Sequence, residues 1–122
     1  TKKNIVNLAV GLIWYGKVAC GGKWVKGGFV AVGDREISGV YIGDLLSWVM
    51  GRAKAGDAWI TIMSNINIVA VASLADVACI ILAEGVTLDR SVAQTAGLKG
   101  VNVISTELTA YEAAMLLGKE LK

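Results

Sequence analysis

From residue 57 onward, short apolar runs alternate with segments whose apolar residues recur at helical spacing. Ala58 to Met63 reads Ala-Trp-Ile-Thr-Ile-Met, Val77 to Ala83 reads Val-Ala-Cys-Ile-Ile-Leu-Ala, and Val101 to Ser105 is a third such run. Short runs rich in β-branched residues predict strands. Nearly every position in them is apolar, whereas a half-exposed strand alternates, so both faces are expected to be covered, as in a parallel sheet. Between the strands, Asn67 to Ala75 and Leu88 to Leu98 predict helices, and Ala110 to Lys119 predicts a closing helix. This is the rhythm of crossover units feeding a largely parallel sheet.

Ahead of these units, Asp44 to Lys54 places Leu45, Leu46, Val49 and Ala53 on one stripe, which predicts an amphipathic helix ended by Gly56. The helix starts carry side chains able to accept from the first amides: Asn65 or Asn67, then Thr87 or Asp89, then Thr106 or Thr109. Thr109 stands three residues before Glu112, the spacing of a reciprocal cap. The first third is less regular. Asn4 to Val10 fits a helix, Ile13 to Cys20 and Phe29 to Val32 fit strands, and Gly21-Gly22 and Gly27-Gly28 fit turns. Seven of the fifteen glycines lie within residues 1–33, so loops are expected to dominate there.

A chain of 122 residues has room for one core, and one domain is expected. Its hydrophobic content is 55% and its mean hydropathy +0.60, yet the longest apolar stretch, Ile66 to Leu74, is broken by Asn67 and Ser73. That falls far short of the roughly 20 residues needed to span a bilayer. The excess is instead expected in a doubly covered sheet or at an oligomer interface. Net charge is +2, but residues 1–33 hold five lysines and no acid, so they carry +5 and the remainder −3. This fits either dispersed surface lysines or a weak patch facing an anion or acidic partner. No arginine or aromatic cluster accompanies the lysines, so a nucleic-acid partner is not expected.

No secretory leader is legible, and a cytoplasmic location is expected. Cys20 and Cys79 are isolated and read as reduced thiols, Cys79 in the core and Cys20, beside Gly21-Gly22, at the surface. The chain has no histidine, which excludes a serine or cysteine triad built on one, and its carboxylates show no metal-ligand spacing. Neither a P-loop nor a Gly-x-Gly-x-x-Gly turn is present. Catalysis, cofactor and metal are therefore not expected. Trp14, Tyr15, Trp24, Trp48 and Trp59 lack the spacing of a base-stacking platform; Trp59 is expected in a buried strand and Trp48 in the core or an interface.

The strand pattern also locates a candidate site. If the strands beginning at Ala58, Val77 and Val101 are parallel, then Ser64, Asn65 and Asn67, Glu84 and Gly85, and Ser105 and Thr106 gather at their carboxyl ends. Open α/β sheets bind ligands along that edge, where helix starts favour anions. The same residues would serve equally as helix caps.

Residues 34–47 read Asp-Arg-Glu-Ile-Ser-Gly-Val-Tyr-Ile-Gly-Asp-Leu-Leu-Ser, and they resemble the signature of the DRTGG domain family. In that signature an Asp-Arg pair precedes a short apolar strand entry, a Thr or Ser, a Gly, and a Tyr-x-Gly-Asp-Leu-Leu-Ser segment that opens a helix. Asp34, Arg35, Ser38, Gly39, Tyr41, Gly43, Asp44, Leu45, Leu46 and Ser47 hold these places, while Val40 replaces the usual second glycine. The runs Gly56 to Ile62, Asn67 to Leu74, Ile80 to Gly85 and Val103 to Thr106 are similar to further blocks of the family in the same order. Asn65 lies near a position where members often carry histidine, so no role of that histidine transfers.

The resemblance implies a three-layer α/β/α fold with a largely parallel sheet, similar to the N-terminal domains of HPr kinase and of the MurE and MurF ligases. It also implies a non-catalytic regulatory module. Such domains occur in phosphotransacetylases and, between CBS domains, in regulated inorganic pyrophosphatases, where they contribute to regulation and dimer contacts; stand-alone copies also occur. The chain is accordingly expected to be one domain with a variable stretch at 1–33, to form a homodimer through the Leu45, Trp48 and Val49 face, and to sense a small anionic metabolite or nucleotide. A protein-interaction subunit without a small-molecule ligand is the alternative. Arg35 would either hold a phosphate or carboxylate or form an ion pair, with Asp34 anchoring a turn. Gly39 and Gly43 would permit backbone geometry closed to other residues.

Overall fold

Four parallel strands are laid down in chain order: β3 (Gly39–Ile42), β4 (Asp57–Thr61), β5 (Cys79–Leu82) and β6 (Val103–Ser105). The register sets Tyr41 beside Trp59, Trp59 beside Ile80, and Ile80 beside Val103. Helices α1 (Leu46–Arg52), α2 (Asn67–Ala75) and α3 (Arg90–Leu98) connect successive strands, and α4 (Ala110–Leu121) follows β6. The computed structural model describes residues 18–20, 23–25 and 36–121. The elements expected at 4–10, 13–17 and 29–32, together with Asp34 and Arg35, lie outside the described residues. A separate antiparallel pair, β1 (Val18–Cys20) and β2 (Lys23–Val25), sets Cys20 opposite Lys23, and β1 runs close to β6.

The layering follows from connection handedness. Parallel strands joined in sequential order by right-handed crossovers carry all their connecting helices on one face. Val49 of α1, Ile68, Val69 and Ala72 of α2, and Val92, Ala93 and Ala96 of α3 accordingly share a core with Trp59, Ile80, Leu82 and Val103. Alternate strand residues point the other way. Ala58, Ile60, Cys79, Ile81 and Ile104 meet Ala113 and Leu117 of α4, with Ile37 at the margin. The sheet thus lies between helical layers, which is why β4, β5 and β6 are buried at every position. Each fully buried large aliphatic side chain contributes about 1.5–3 kcal/mol.

The structure departs from the sequence reading at three places. Ahead of the sheet's first strand, where the sequence places a strand entry, Glu36 forms a single bridge, and pairing with β4 begins only where Ser38 N–H donates to the Gly56 carbonyl at 3.0 Å. The helix expected over Asp44 to Lys54 stops at Arg52, with Ala53 extended. The Lys54 amide is held instead by the Asp57 carboxylate at 2.8 Å, a local bond that competes with a further helical turn. Gly56, at φ 85°, shapes the entry to β4. Finally, Asp89 stands at the α3 N-cap without a side-chain cap bond.

The cap at α4 forms as its spacing predicts. Glu112 N–H donates to Thr109 Oγ1 at 3.1 Å, and Thr109 N–H donates to Glu112 Oε1 at 3.0 Å. Because α4 closes the second face through Leu117, which is fully buried, Leu117→Ala is expected to remove about 2–5 kcal/mol of stability. Urea unfolding checks this, and a loss under about 1 kcal/mol would mean that α4 does not close that face.

Candidate functional site

The signature residues meet β4 at both ends of β3. At the lower end Gly39 lies opposite Asp57, and a Cβ on Gly39 would come within 2.7 Å of Asp57 Oδ1. Gly56 meets Ser38 in the same way, at 2.7 Å from Oγ, and its positive φ adds a second reason for glycine. Gly39 is therefore required by close approach. At the upper end the indole N–H of Trp59 donates to the Gly43 carbonyl at 2.9 Å. Asp44 Oδ1 accepts from Thr61 Oγ1 at 2.7 Å and from the Ile62 amide at 3.1 Å. Thr61 Oγ1 in turn accepts the Met63 amide at 3.1 Å. Tyr41 packs partly into the three-helix core, its ring close to Gly43.

The other candidate residues lie at the carboxyl ends of β4, β5 and β6. After β4, Ser64 is half-buried, and exposed Asn65 accepts the Asn67 amide at 2.9 Å. After β5, exposed Glu84 and Gly85 both take positive φ, 57° and 75°. After β6, Ser105 and Thr106 are buried, and their hydroxyls bind main chain. Ser105 Oγ donates to the Val86 carbonyl at 2.6 Å, and Thr106 Oγ1 accepts the Leu108 amide at 3.3 Å. Glu84 N–H reaches the Leu108 carbonyl at 2.7 Å and Gly85 N–H the Thr106 carbonyl at 2.9 Å. The β5 and β6 loops are thereby latched into one rim, with Asn65, Asn67, Glu84 and Gly85 facing outward and Ser105 and Thr106 beneath.

The helix face expected to carry Leu45, Trp48 and Val49 together divides. Val49 is fully buried, whereas Leu45 and Trp48 are 57% and 52% exposed. Arg52, one turn on, lies 3.6 Å from the Trp48 ring centroid in cation–π geometry. Among the described residues, Arg52 and Lys54 border a cleft of about 410 Å³ beside β3. Among the described residues no group of three or more His, Cys, Asp or Glu side chains converges on a point, and no helix is long and apolar enough to cross a membrane.

Sequence reasoning missed Thr61, Gly56 and Asp57 as partners of the signature. Thr61 offered a signal, since a lone hydroxyl within a buried apolar run requires a hydrogen-bond partner.

Comparison with known proteins agrees with this geometry. A protein-family model, that of the DRTGG domain, matches residues 23–119. Similar solved structures include the CBS and DRTGG domains of the regulatory region of Clostridium perfringens pyrophosphatase, complexed with its activator, diadenosine tetraphosphate. The TM-score is 0.55 at 20% identity, covering 64% of this chain and 34% of that one, so this chain spans about a third of its length. No curated protein matches the chain.

The close approach at Gly39 yields a paired prediction. Gly39→Ala is expected to cost about 1–3 kcal/mol by overpacking against Asp57. Gly51→Ala in α1, where a methyl meets nothing within 4 Å, is expected to gain about 0.5–1 kcal/mol from helix propensity. Chemical denaturation of the two variants is the check, and equal effects would remove the steric account of the signature glycine.

Proposed function

The chain belongs to the DRTGG domain family, and from that premise we propose that it is a non-catalytic regulatory module that senses a small anionic metabolite or nucleotide. The observation that carries this reading is the alignment of three consecutive parallel strand ends, each followed by a polar turn, along one edge of the sheet. That edge is where open α/β sheets take ligands. Ser64, Asn65, Asn67, Glu84 and Gly85 would contact the ligand, while Ser105 and Thr106 hold the rim in place. α3 opens on the same side without a side-chain cap, leaving first-turn amides for an anion. The regulatory setting of the pyrophosphatase domain supports the reading at the level of the fold. A cytoplasmic location belongs to the same proposal.

A thermal-shift panel of nucleotides and central metabolites tests it. A true ligand at 100 times its dissociation constant is expected to add about 2.7 kcal/mol of stability. Glu84→Gln is expected to tighten binding of a simple anion by removing a repelling charge, and to weaken a nucleotide whose ribose hydroxyls donate to that carboxylate. Silence across the panel would favour the alternative, a protein-interaction subunit without a small-molecule ligand.

Exposed Leu45 and Trp48, with Ile42 51% exposed nearby, support a symmetric homodimer through that surface. Sedimentation at tens of micromolar is expected to show the dimer, and Trp48→Glu to shift it to monomer. A wild-type chain that stays monomeric at that concentration removes the dimer from the reading.

A further inference from the structure

Among the described strands, only β4 pairs with β3, on one side of its backbone. Along a strand, the N–H and C=O groups of successive residues point alternately to the two sides. Ser38 donates toward β4, so Gly39 and Tyr41 turn their groups away from β4. In the order β3-β4-β5-β6 no described strand takes them up. The four residues of β3 are half-exposed or exposed, and none is a proline or a charged residue of the kind that blunts an edge.

The 410 Å³ cleft runs along this same stretch, with Gly39 to Tyr41 on one wall and Arg52 and Lys54 on the other. A groove between an edge strand and a helix end is the geometry that accepts an extended peptide by strand addition. Both exposed charges among its described lining residues, Arg52 and Lys54, are positive. Among its described lining residues the one carboxylate, Asp57, is 8% exposed, bonded to the Lys54 amide and packed beneath Gly39. Arg52 is held against Trp48, so little side-chain freedom is lost when its guanidinium takes up a carboxylate.

We propose that the open edge of β3 and the adjoining Arg52–Lys54 cleft receive an extended acidic peptide segment of a partner protein, added as a strand beside β3. Charge decides against a second copy at this edge. The antiparallel self-pairing that matches Gly39 with Tyr41 also sets Glu36 against Asp44, twice. A parallel self-pairing sets every charge against its own copy. Like charges directly opposed destabilise a strand pair, whereas an acidic strand of another protein meets the two cations. The groove lies at the end of the sheet away from the strand-end rim, so this proposal stands or falls independently of the small-molecule reading.

The test selects displayed, randomised peptides of about ten residues, long enough to fill a strand, on the intact chain. Selected sequences are expected to carry Asp or Glu at alternating positions and to slow solvent exchange of the Gly39 and Tyr41 amides. Arg52→Glu with Lys54→Glu is expected to weaken binding about tenfold or more. Lys99→Glu, at the C-cap of α3, is expected to leave it unchanged. If the first pair unfolds the chain, Arg52→Gln with Lys54→Gln replaces it, with a smaller loss expected. Selection without acidic enrichment overturns the proposal, as does binding that leaves those two amides unprotected or is indifferent to Arg52 and Lys54. Amide protection that rises with protein concentration alone assigns the edge to a second copy and overturns it too.

Discussion

A strand of four half-exposed residues contributes little burial of its own, so β3 stays in the sheet because both of its ends are tied to β4. Below, glycine meets the other strand's polar side chain twice: Gly39 against Asp57, and Gly56 against Ser38. Above, the Asp44 carboxylate takes the Thr61 hydroxyl and the Ile62 amide while the Trp59 indole caps Gly43. Slipping β3 by one residue would break both sets together and turn Tyr41 out of the core. The remaining architecture follows from this register, because β4 passes the same alignment to β5 and β5 to β6. The described part of the signature, residues 36–47, thus acts as a two-ended clamp on β4.

Much of this fold was legible in the sequence because burial on both faces writes itself as continuous apolar runs. β4, β5 and β6 and the four helices follow from that pattern and from helical periodicity, and Asn67 to Ala75 agrees residue for residue. β3 was not foreseen because an edge strand lacks the signal: Gly39-Val40-Tyr41-Ile42 is short, half-exposed and begins with a glycine. The early end of α1 was hidden for another reason. Asp57 reaches back three residues to the Lys54 amide, and a carboxylate at the start of a strand is not recognisable beforehand as the competitor of a helix. Strand-end residues were placed on the right edge, but sequence could not separate hydroxyls consumed beneath the rim from amides and carboxylates above it.

That separation shapes the chemistry open to the rim. Ser105 spends its hydroxyl joining two loops and Thr106 its own within the β6 loop, so at the proposed site recognition would fall to the outward groups: a carboxylate at Glu84, carboxamides at Asn65 and Asn67, and the uncapped start of α3. A mixture of acceptor and donor groups suits a ligand that offers both hydroxyls and charge. It suits a bare inorganic anion less well, since Glu84 would repel one.

Consecutive strands of this sheet are also spatial neighbours, so each crossover unit can form soon after it is synthesised, with little loop-closure cost. α4 is different. The last helix returns across the second face to pack on β3 and β4, joining the end of the described chain to the beginning of its sheet. Until α4 has left the ribosome, Ala58, Ile60 and Ile81 lack the helix that shields them. Translation therefore carries an interval in which β3, β4 and β5 can pair before the helix that covers their second face has emerged, the stage at which exposed apolar surface favours misassembly.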